Sequence, residues 1–414
     1  MSLPLVEVST ADRQVRSQGP APAALSCRAV QRSDPEPPAP GAGPRRPMES
    51  NGINLSRLVQ HRHQLWRLLD FRGRRVRRAY EALRKSYYRD YWSRAAAELG
   101  GDVEDLGSGF LRIGVGSAHT YVNGYNVQID DHVLLKIAGD KALSQQLLRR
   151  FGLPVPAHVV YSLSELHRAE VFLSRLEKPV VVKPTRGGGG LGITTGIQDA
   201  VGLRRATLLA AREARQFMVE EQVLGDNYRF LYLDGELIDV VRRDPPTVIG
   251  DGSRSVRDLI AQENRTRLTG PAYTALSPLQ ANDRYLRSKG IDLRYVPESG
   301  QALTVKRAIN QNAARDNHRV TAGVHPSYRE LGGRVHAVLP IKLLGIDVIT
   351  PSVAVPLEES GGAINEVNTT PGLHHHDLVA EQDKCNVGRL VLDYCLSSRS
   401  PQRETRAGAT SGRR

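Results

Sequence analysis

Between Leu55 and Leu99, apolar and aromatic residues recur at spacings of three and four (Leu65, Leu68, Leu69, then Tyr80, Leu83, Tyr87, Tyr88, Trp92), with arginines in the gaps. That period belongs to an amphipathic helix. Short strand-like pieces follow, separated by Gly/Asn turns: Gly109 to Ile113, Tyr121-Val122 and Val127 to Ile129. Together they predict a small α+β unit ending near Val133. Beyond it the pattern alternates. Lys141 to Phe151 reads as a helix stopped by Gly152 and the Pro154/Pro156 pair. Val159 to Tyr161 reads as a strand, and Leu163 to Leu176 as a helix behind a Ser162/Ser164 cap region. Lys178 to Pro184 is a buried strand running straight into a glycine-rich turn; Val201 to Arg215 is a helix and Phe217 to Val223 a strand. Such alternation predicts an α+β fold of helices layered on a partly covered sheet. No internal repeat is visible.

Residues 1–50 lack this periodicity and are rich in Pro, Ala, Gly and Ser, so a disordered tail is expected there, with Met48 at its boundary. The expected organisation is that tail, an N-terminal unit over 51–135, a main domain over 136–398 and a basic disordered tail over 399–414.

The 414 residues suffice for two or three domains, and 40% hydrophobic with 24% charged residues is an ordinary soluble composition. No apolar run approaches the ~20 residues needed to span a bilayer. The first residues contain acids and no apolar stretch of signal length, so the expectation is a cytoplasmic protein with no membrane partner. Cys27, Cys385 and Cys395 are too few and scattered for a disulfide framework or zinc site; the last two read as small helix-packing residues. The formal charge of +13 is concentrated: residues 51–100 hold 12 Lys/Arg against 4 Asp/Glu, and the last 14 residues hold 4 Arg and one Glu. A basic helical face can contact RNA or an acidic peptide, but such a run is more often a solvated face. Nucleic acid is therefore not the expected partner.

Three constellations can carry chemistry. The first is the strand Val180-Val181-Val182-Lys183-Pro184, followed by Thr185-Arg186 and the loop Gly187, Gly188, Gly189, Gly190, Leu191, Gly192. Glycines let backbone N–H groups approach phosphate oxygens. The spacing is neither that of a P-loop nor that of a dinucleotide fingerprint, and a hairpin tip remains the plain alternative. The second is Met218 to Val223, with Glu220 and Glu221, and then Asp226. A strand ending in adjacent acids can pair with an adenine edge, and the next acid can accept ribose hydroxyls, although a surface hinge explains it equally well. The third is Asp347 among apolar neighbours, with Glu366 and Asn368 two apart in a second apolar strand and so on one face. Two carboxylates and an amide oxygen make a hard-oxygen site suited to Mg²⁺ that also takes substrate phosphates. Acids paired to arginines are the competing explanation.

In this order (Lys141, Lys183 with its glycine loop, Glu220 to Val223, Asp347, Glu366-x-Asn368 with TTPG) the sequence resembles the ATP-grasp superfamily. The sub-pattern is similar to the ATP-grasp domain of cyanophycin synthetase and bifunctional glutathione synthetases. AGDKALSQQLLRRFGLPVP, RRDPPTVIGDGSRSVRDLIAQEN, YLRSKGIDLRYVPESGQ and GIDVITPSVAVPLEESGGAINEVNTTPGL carry it, across roughly residues 136–396. The resemblance implies an ATP-grasp fold, two α+β subdomains clasping ATP. It implies that Lys141 and Lys183 contact phosphate and adenine, and that Gly187 to Gly192 form the cover over the phosphates. Glu220, Glu221 and Val223 would form the adenine hinge, and Asp226 would hold the ribose. Arg243, Arg307 and Asn310 would face the transferred phosphate and carboxylate, and Asp347, Glu366 and Asn368 would hold two Mg²⁺, with Mn²⁺ as an alternative ion. The implied activity is ADP-forming amide or peptide bond formation through an acyl-phosphate, on an amino acid or small peptide. A homo-oligomer is left open.

Two departures stand out. Relatives read roughly R-x-x-N-[LI]-S-T-G-G where this chain has Arg307 to Arg315, which removes the small hydroxyl/glycine loop and puts Arg315 at an expected glycine; its fixed charge suits an acidic acceptor. The Mur-ligase-like domain that follows in cyanophycin synthetase has no counterpart before residue 414, so that complete enzyme is not expected. His374-His375-His376 cannot all reach one ion and are expected in a surface or substrate-contacting loop. The alternatives to a ligase are a regulatory nucleotide-binding protein on the same fold and a nucleic-acid-associated protein using residues 51–100. A chain beginning at Met48 should keep full activity and melting temperature, checked by thermal unfolding; a drop in either shows residues 1–47 to be structural.

Overall fold

The computed structural model describes residues 71–187 and 190–398. The expected terminal tails, the part of the expected helix before Phe71, Cys27, Gly188 and Gly189 lie outside the described residues. Helix α1 (Phe71–Glu98) leads into strands β1 (Asp102–Gly107), β2 (Phe110–Val115), β3 (Ala118–Asn123) and β4 (Asn126–Val127). Helices α2 (His132–Ala138) and α3 (Lys141–Arg150) follow, then β5 (His158–Tyr161), α4 (Leu166–Ser174), β6 (Val180–Pro184), β7 (Thr194–Ile197), α5 (Ala200–Ala210) and β8 (Phe217–Glu221). The last part runs β9 (Asp226–Leu233), β10 (Glu236–Arg243), β11 (Thr247–Ile249), α6 (Val256–Thr269), α7 (Asp283–Ser288), β12 (Ala302–Thr304), β13 (Asn317–Arg319), α8 (Ser327–Val338), β14 (Leu343–Thr350), α9 (Leu357–Ser360), β15 (Ala363–Asn368), α10 (His374–Asp377) and α11 (Val387–Ser397).

Two antiparallel sheets position the site. The first has the order β5-β8-β6-β7. Its alternation sends Val180, Val182, Phe217 and Val219 against Leu203 and Ala206 of α5 and Ala169 of α4. Lys183 and Glu220, one residue out of phase, go to the opposite face. The second has the order β13-β10-β9-β14-β15. Phe230, Tyr232, Val240, Ile346 and Val348 cover one face and pack on Tyr328, Leu331 and Val335 of α8, where the Phe230 and Tyr328 rings stack 4.9 Å apart. Arg229, Asp239, Arg243 and Asp347 occupy the other. Between the sheets, Gly225 has φ +137, and a Cβ there would collide with the Thr350–Pro351 backbone. Only glycine lets the connection pass so close.

A third antiparallel sheet, β1-β2-β3-β4, packs with α1. Tyr87, Tyr88, Tyr91, Trp92, Ala95 and Ala96 are buried with Leu111, Ile113 and Val122 of that sheet and with Val391, Leu392, Cys395 and Leu396 of α11. The same cluster takes in Leu231 and Leu343 from the second sheet and Leu373 from the loop after β15. A core therefore joins the beginning, middle and end of the described chain. A fourth, small core holds β11, β12, α6 and α7 together through Val248, Val256, Leu259, Leu286 and Val305. Among the described residues no helix is long and apolar enough to cross a membrane.

The α+β expectation matches, and the differences are local. β1 has no apolar alternation because nearly all of it is exposed; only its pairing with β2 makes it a strand. The expected strand at Val127 to Ile129 shrinks to Asn126–Val127, and α5 ends at Ala210 instead of Arg215. α2 appears where the N-terminal unit was expected to end, because the Asp131 carboxylate caps the N–H groups of Val133 and Leu134 at 2.8 and 3.1 Å.

Trp92 is fully buried and donates its indole N–H to the Gly124 carbonyl at 2.8 Å. Trp92→Ala should lower stability by about 3–5 kcal/mol, read as a lower urea midpoint; an unchanged midpoint would mean that this core does not support the fold.

Candidate functional site

The second sheet brings three charged residues into one row. In register, Asp347 lies opposite Arg229 on β9 and Glu366 on β15. Arg229 grips Asp347 with two donors, its Nε on Oδ1 and its Nη2 on Oδ2 at 3.0 Å. Burial opposes ionisation of Asp347. Arg229 outweighs it, helped by Arg243 and the Asn368 amide, so the carboxyl stays below the usual range. Glu366 is paired to the buried ammonium of Lys141, which also donates to the Gly187 carbonyl at 3.0 Å. Lys141 thus ties the start of the glycine loop to the sheet.

A bulge skips Asn365 between the pairs Asp347–Glu366 and Val348–Ile364. The displaced Asn365 meets α3 and the first sheet: its carbonyl accepts Gln145 Nε2 of α3 at 3.0 Å and its Oδ1 accepts Lys183 Nζ of β6 at 3.4 Å. Lys183 and Glu220, both buried, form an ion pair of 2.7 Å. Gln145 Nε2 lies 3.4 Å from Glu220, while its own Oε1 is buried without a partner.

Arg243 ends β10, with Asn227 and Asn317 as register neighbours. It is buried, and its Nε has no hydrogen-bond partner. Burial, then Arg229, pull its guanidinium down to about 10 against the opposing effect of Asp347. The histidine run is not a surface loop: it forms the single turn α10, and successive residues splay by about 100° around a turn. His376 points inward, fully buried, and binds Asp239 at 2.8 Å. His374 and His375 are half-buried, and His374 Nδ1 lies 2.8 Å from the Tyr88 hydroxyl of α1. Burial, then Arg243 and Arg229, push His374 down to about 3; burial, then His374 and Arg243, hold His375 well below its usual value.

The expected residues therefore divide. Lys141, Lys183, Gly187, Glu220, Asp347, Glu366 and Asn368 gather where the two sheets meet, with Arg243 beside Arg229 and Asp347. Gly190, at φ +73, lies against Asn310, whose amide fills the space a Cβ would need. Gly192 packs on Pro184 and Ala210. Glu221 pairs with Lys178 at 2.8 Å, Val223 is half-buried, and Asp226 is exposed at the start of β9. Arg307 is exposed. Arg315 is committed elsewhere, to Glu263 at 3.1 Å and the Thr247 carbonyl at 2.9 Å. Sequence reading missed Arg229, Gln145 and Asn365. An arginine on the alternating apolar strand Tyr228 to Leu233 was the available signal for the first; a bulge leaves none for Asn365.

Among the described residues no three His, Cys, Asp or Glu side chains gather as a metal-holding group. Two carboxylates and an amide on one face still fit a hard divalent ion that takes its remaining ligands from phosphates. Arg229 and Lys141 supply compensating charge to Asp347 and Glu366.

A strand-borne lysine followed by a glycine loop, a hinge between two antiparallel sheets and an acid row at their junction match the fold and motif order of ATP-grasp domains. The chain is 24% identical over 299 residues to a bifunctional glutathione biosynthesis protein of Clostridium perfringens, covering 70% of this chain and 38% of that protein. It is 27% identical over 288 residues to the cyanophycin synthetase of Nostoc sp., covering 68% and 32%. A crystal structure of a bifunctional glutathione synthetase from Pasteurella multocida matches 72% of this chain and 42% of its own, at 25% identity and a TM-score of 0.48. The chain thus spans between about a third and two fifths of these relatives' length. No protein-family model matches the sequence.

Asp239 holds α10 in place. Besides His376, it accepts Arg319 Nε at 2.9 Å and Thr321 Oγ1 at 2.6 Å. Burial raises its pKa, but these partners, His376 first, overcome that and bring it from 3.8 down to about 2. A depressed carboxyl contributes stability above its unfolded value, here 3.8, and loses it as pH falls towards 2. Asp239→Asn should cost on the order of 3 kcal/mol at neutral pH, and the gap from wild type should narrow between pH 4 and 2. Urea unfolding at both ends of that window checks it; a gap independent of pH would exclude this role.

Proposed function

We propose that this chain is an ATP-dependent carboxylate–amine ligase that releases ADP, joining an amino acid or small peptide to an amine through an acyl-phosphate. The observation that carries this reading is Arg243. A guanidinium buried beside another arginine, with Nε unsatisfied, costs several kcal/mol unless an anion answers it. The transferred phosphoryl and the substrate carboxylate are such anions. Uncatalysed, a carboxylate does not yield to an amine because its leaving group is too poor, and phosphorylation supplies a better one.

Lys141 and Lys183 then serve the nucleotide phosphates and adenine, and Gly187, Gly188, Gly189, Gly190 and Gly192 cover the phosphates and exclude water. Glu220, Glu221 and Val223 take the adenine edge, and Asp226 the ribose. Asp347, Glu366 and Asn368 would hold Mg²⁺, two ions in the full complex or Mn²⁺ in their place, which neutralise charge on the β/γ oxygens. Arg243, Arg307 and Asn310 orient the carboxylate and the phosphoryl being transferred. The amine attacks directly, so no protein nucleophile is required. Small-molecule substrates and a cytoplasmic setting belong to the same reading.

Glu366→Gln and Asp347→Asn should each cut turnover on the order of 10²-fold or more, the loss expected for a principal electrostatic stabiliser. ATP binding without Mg²⁺ should stay nearly unchanged in Glu366→Gln, since the purine contacts lie on Glu220 to Val223. ADP release with amino-acid and dipeptide pools, alongside calorimetric nucleotide binding with and without Mg²⁺, makes the measurement. Wild-type turnover in both variants would sink the metal assignment.

A further inference from the structure

The small core of β11, β12, α6 and α7 adjoins a cavity whose lining shares no residue with the sheet junction. It has a volume of about 710 Å³ and lies between α6, α7 and the segment 290–295. That size falls within the range of roughly 300–1,000 Å³ usual for small-ligand pockets. Its frame is set by the backbone. The N–H groups of Val256 and Arg257, at the start of α6, are bonded to the Tyr295 and Leu293 carbonyls at 2.9 and 3.0 Å. The Ile291 N–H is bonded to the Leu286 carbonyl of α7 at 3.2 Å. Ile291, Leu293 and Tyr295 line the cavity and also pack against buried Val256, Leu259 and Leu286.

Three guanidiniums, from Arg257, Arg287 and Arg294, and two carboxylates, from Asp283 and Asp292, line this one cavity. All five residues are exposed, yet among the described residues none of them is in an ion pair. Nearby arginines behave otherwise: Arg254 is paired with Asp251 at 2.9 Å and Arg267 with Glu263 at 2.8 Å. Asp283 and Arg287 stand four residues apart on α7, the spacing that brings opposite charges together on a helix, and they too stay unpaired. Asp292 Oδ1 accepts the Arg294 N–H at 2.7 Å, so that carboxylate is turned towards its own loop. Arginines alone on a solvated face are ordinary. Opposite charges left unpaired inside one hollow keep their bonding capacity for another partner.

We propose that this cavity binds a short peptide bearing an acidic side chain, with its carboxylates on the arginines and its free ammonium on Asp283 and Asp292. Charge and size select that class. Three positive groups against two negative ones leave one positive charge in excess. A peptide with an α-carboxylate, one acidic side chain and one ammonium carries the opposite charge. Guanidiniums take carboxylates through two parallel hydrogen bonds. A phosphate ester would satisfy the arginines but would meet Asp283 and Asp292 with like charge. A single acidic amino acid has the right charge and leaves most of the volume empty. Tyr295, Ile291 and Leu293 offer apolar surface to the remaining side chains of a peptide. The site goes beyond the ligase reading and does not depend on it, since no nucleotide, metal or carboxylate group of the junction takes part.

Calorimetric titration of the full-length protein, without ATP or Mg²⁺, tests it with Ala-Glu-Ala, Ala-Gln-Ala, N-acetylated Ala-Glu-Ala and tripolyphosphate. Wild type should bind Ala-Glu-Ala saturably, and the glutamine and acetylated peptides more weakly by about tenfold each, the size of one charge-assisted contact. Arg287→Gln and Arg294→Gln should each weaken Ala-Glu-Ala binding by a similar factor at unchanged melting temperature. Asp283→Asn should remove the preference for the free over the acetylated amino terminus. Ala-Glu-Ala binding that both arginine variants keep would put the peptide elsewhere and overturn the site. Tighter binding of tripolyphosphate than of any peptide would overturn the peptide assignment in favour of a phosphate site. No saturable heat from any peptide at millimolar concentration would reduce the five charges to a solvated face. None of these outcomes bears on the ligase reading, whose own failure shows in ADP release.

Discussion

Asp347 is enclosed between two strands, and its carboxylate faces Arg229 on one side and Glu366 on the other. A charge so placed must be answered by an opposite charge or be given up as a neutral acid. Arg229 answers Asp347 and Lys141 answers Glu366, while Lys183 and Glu220 answer each other on the facing sheet. These pairs lie at the junction of two sheets whose other faces are ordinary apolar cores. Each sheet presents charge inward on one face only because its other face is covered by helices. The fold therefore holds its ionic groups next to one another in buried or half-buried positions, where each pair is worth more than at the surface.

The balance at this junction is incomplete on one side. Arg243 adds a cation that the described protein groups do not fully satisfy, and two neutral imidazoles stand beside it. Their neutrality has a cause in the same place, since burial and the two arginines both disfavour a further positive charge. The excess positive charge of Arg243 thus stands next to an acid row whose own charges are already paired with Arg229 and Lys141.

The N-terminal helix enters the same arrangement from outside the clasp. Tyr88 meets His374, Tyr87 donates to Asp377 at 2.6 Å, and Arg84 reaches the Leu276 carbonyl at 3.2 Å. Its aromatic face is shared with α11 and with the second sheet. Its basic residues account for much of the charge that the composition shows, and several of them serve structure: Arg89 pairs with Asp105 at 2.7 Å and Lys85 with Glu81 at 3.1 Å. The helix braces the turn that carries the histidines, which links a segment far away in sequence to the edge of the site.

Local pattern determined a good deal here. Apolar runs at Val180 to Pro184 and around Asp347 gave buried strands, the period of three and four gave α1, and adjacent glycines gave a loop next to a lysine. Motif order then pointed to an ATP-grasp domain and to most of the residues that meet at the junction. Tertiary structure decided which partner each charge took. Arg229 reaches Asp347 across 118 residues, and Lys141 reaches Glu366 across 225. It decided that His376 turns inward to Asp239 while its neighbours do not, and that Arg315 is spent on Glu263. It also made β1 a strand without apolar alternation and pushed Asn365 out of register towards Lys183. The division has one physical reason. Periodicity records which face of an element is apolar, a property of a few consecutive residues, whereas the partner of a buried charge is set by register and sheet packing between segments that no local pattern relates.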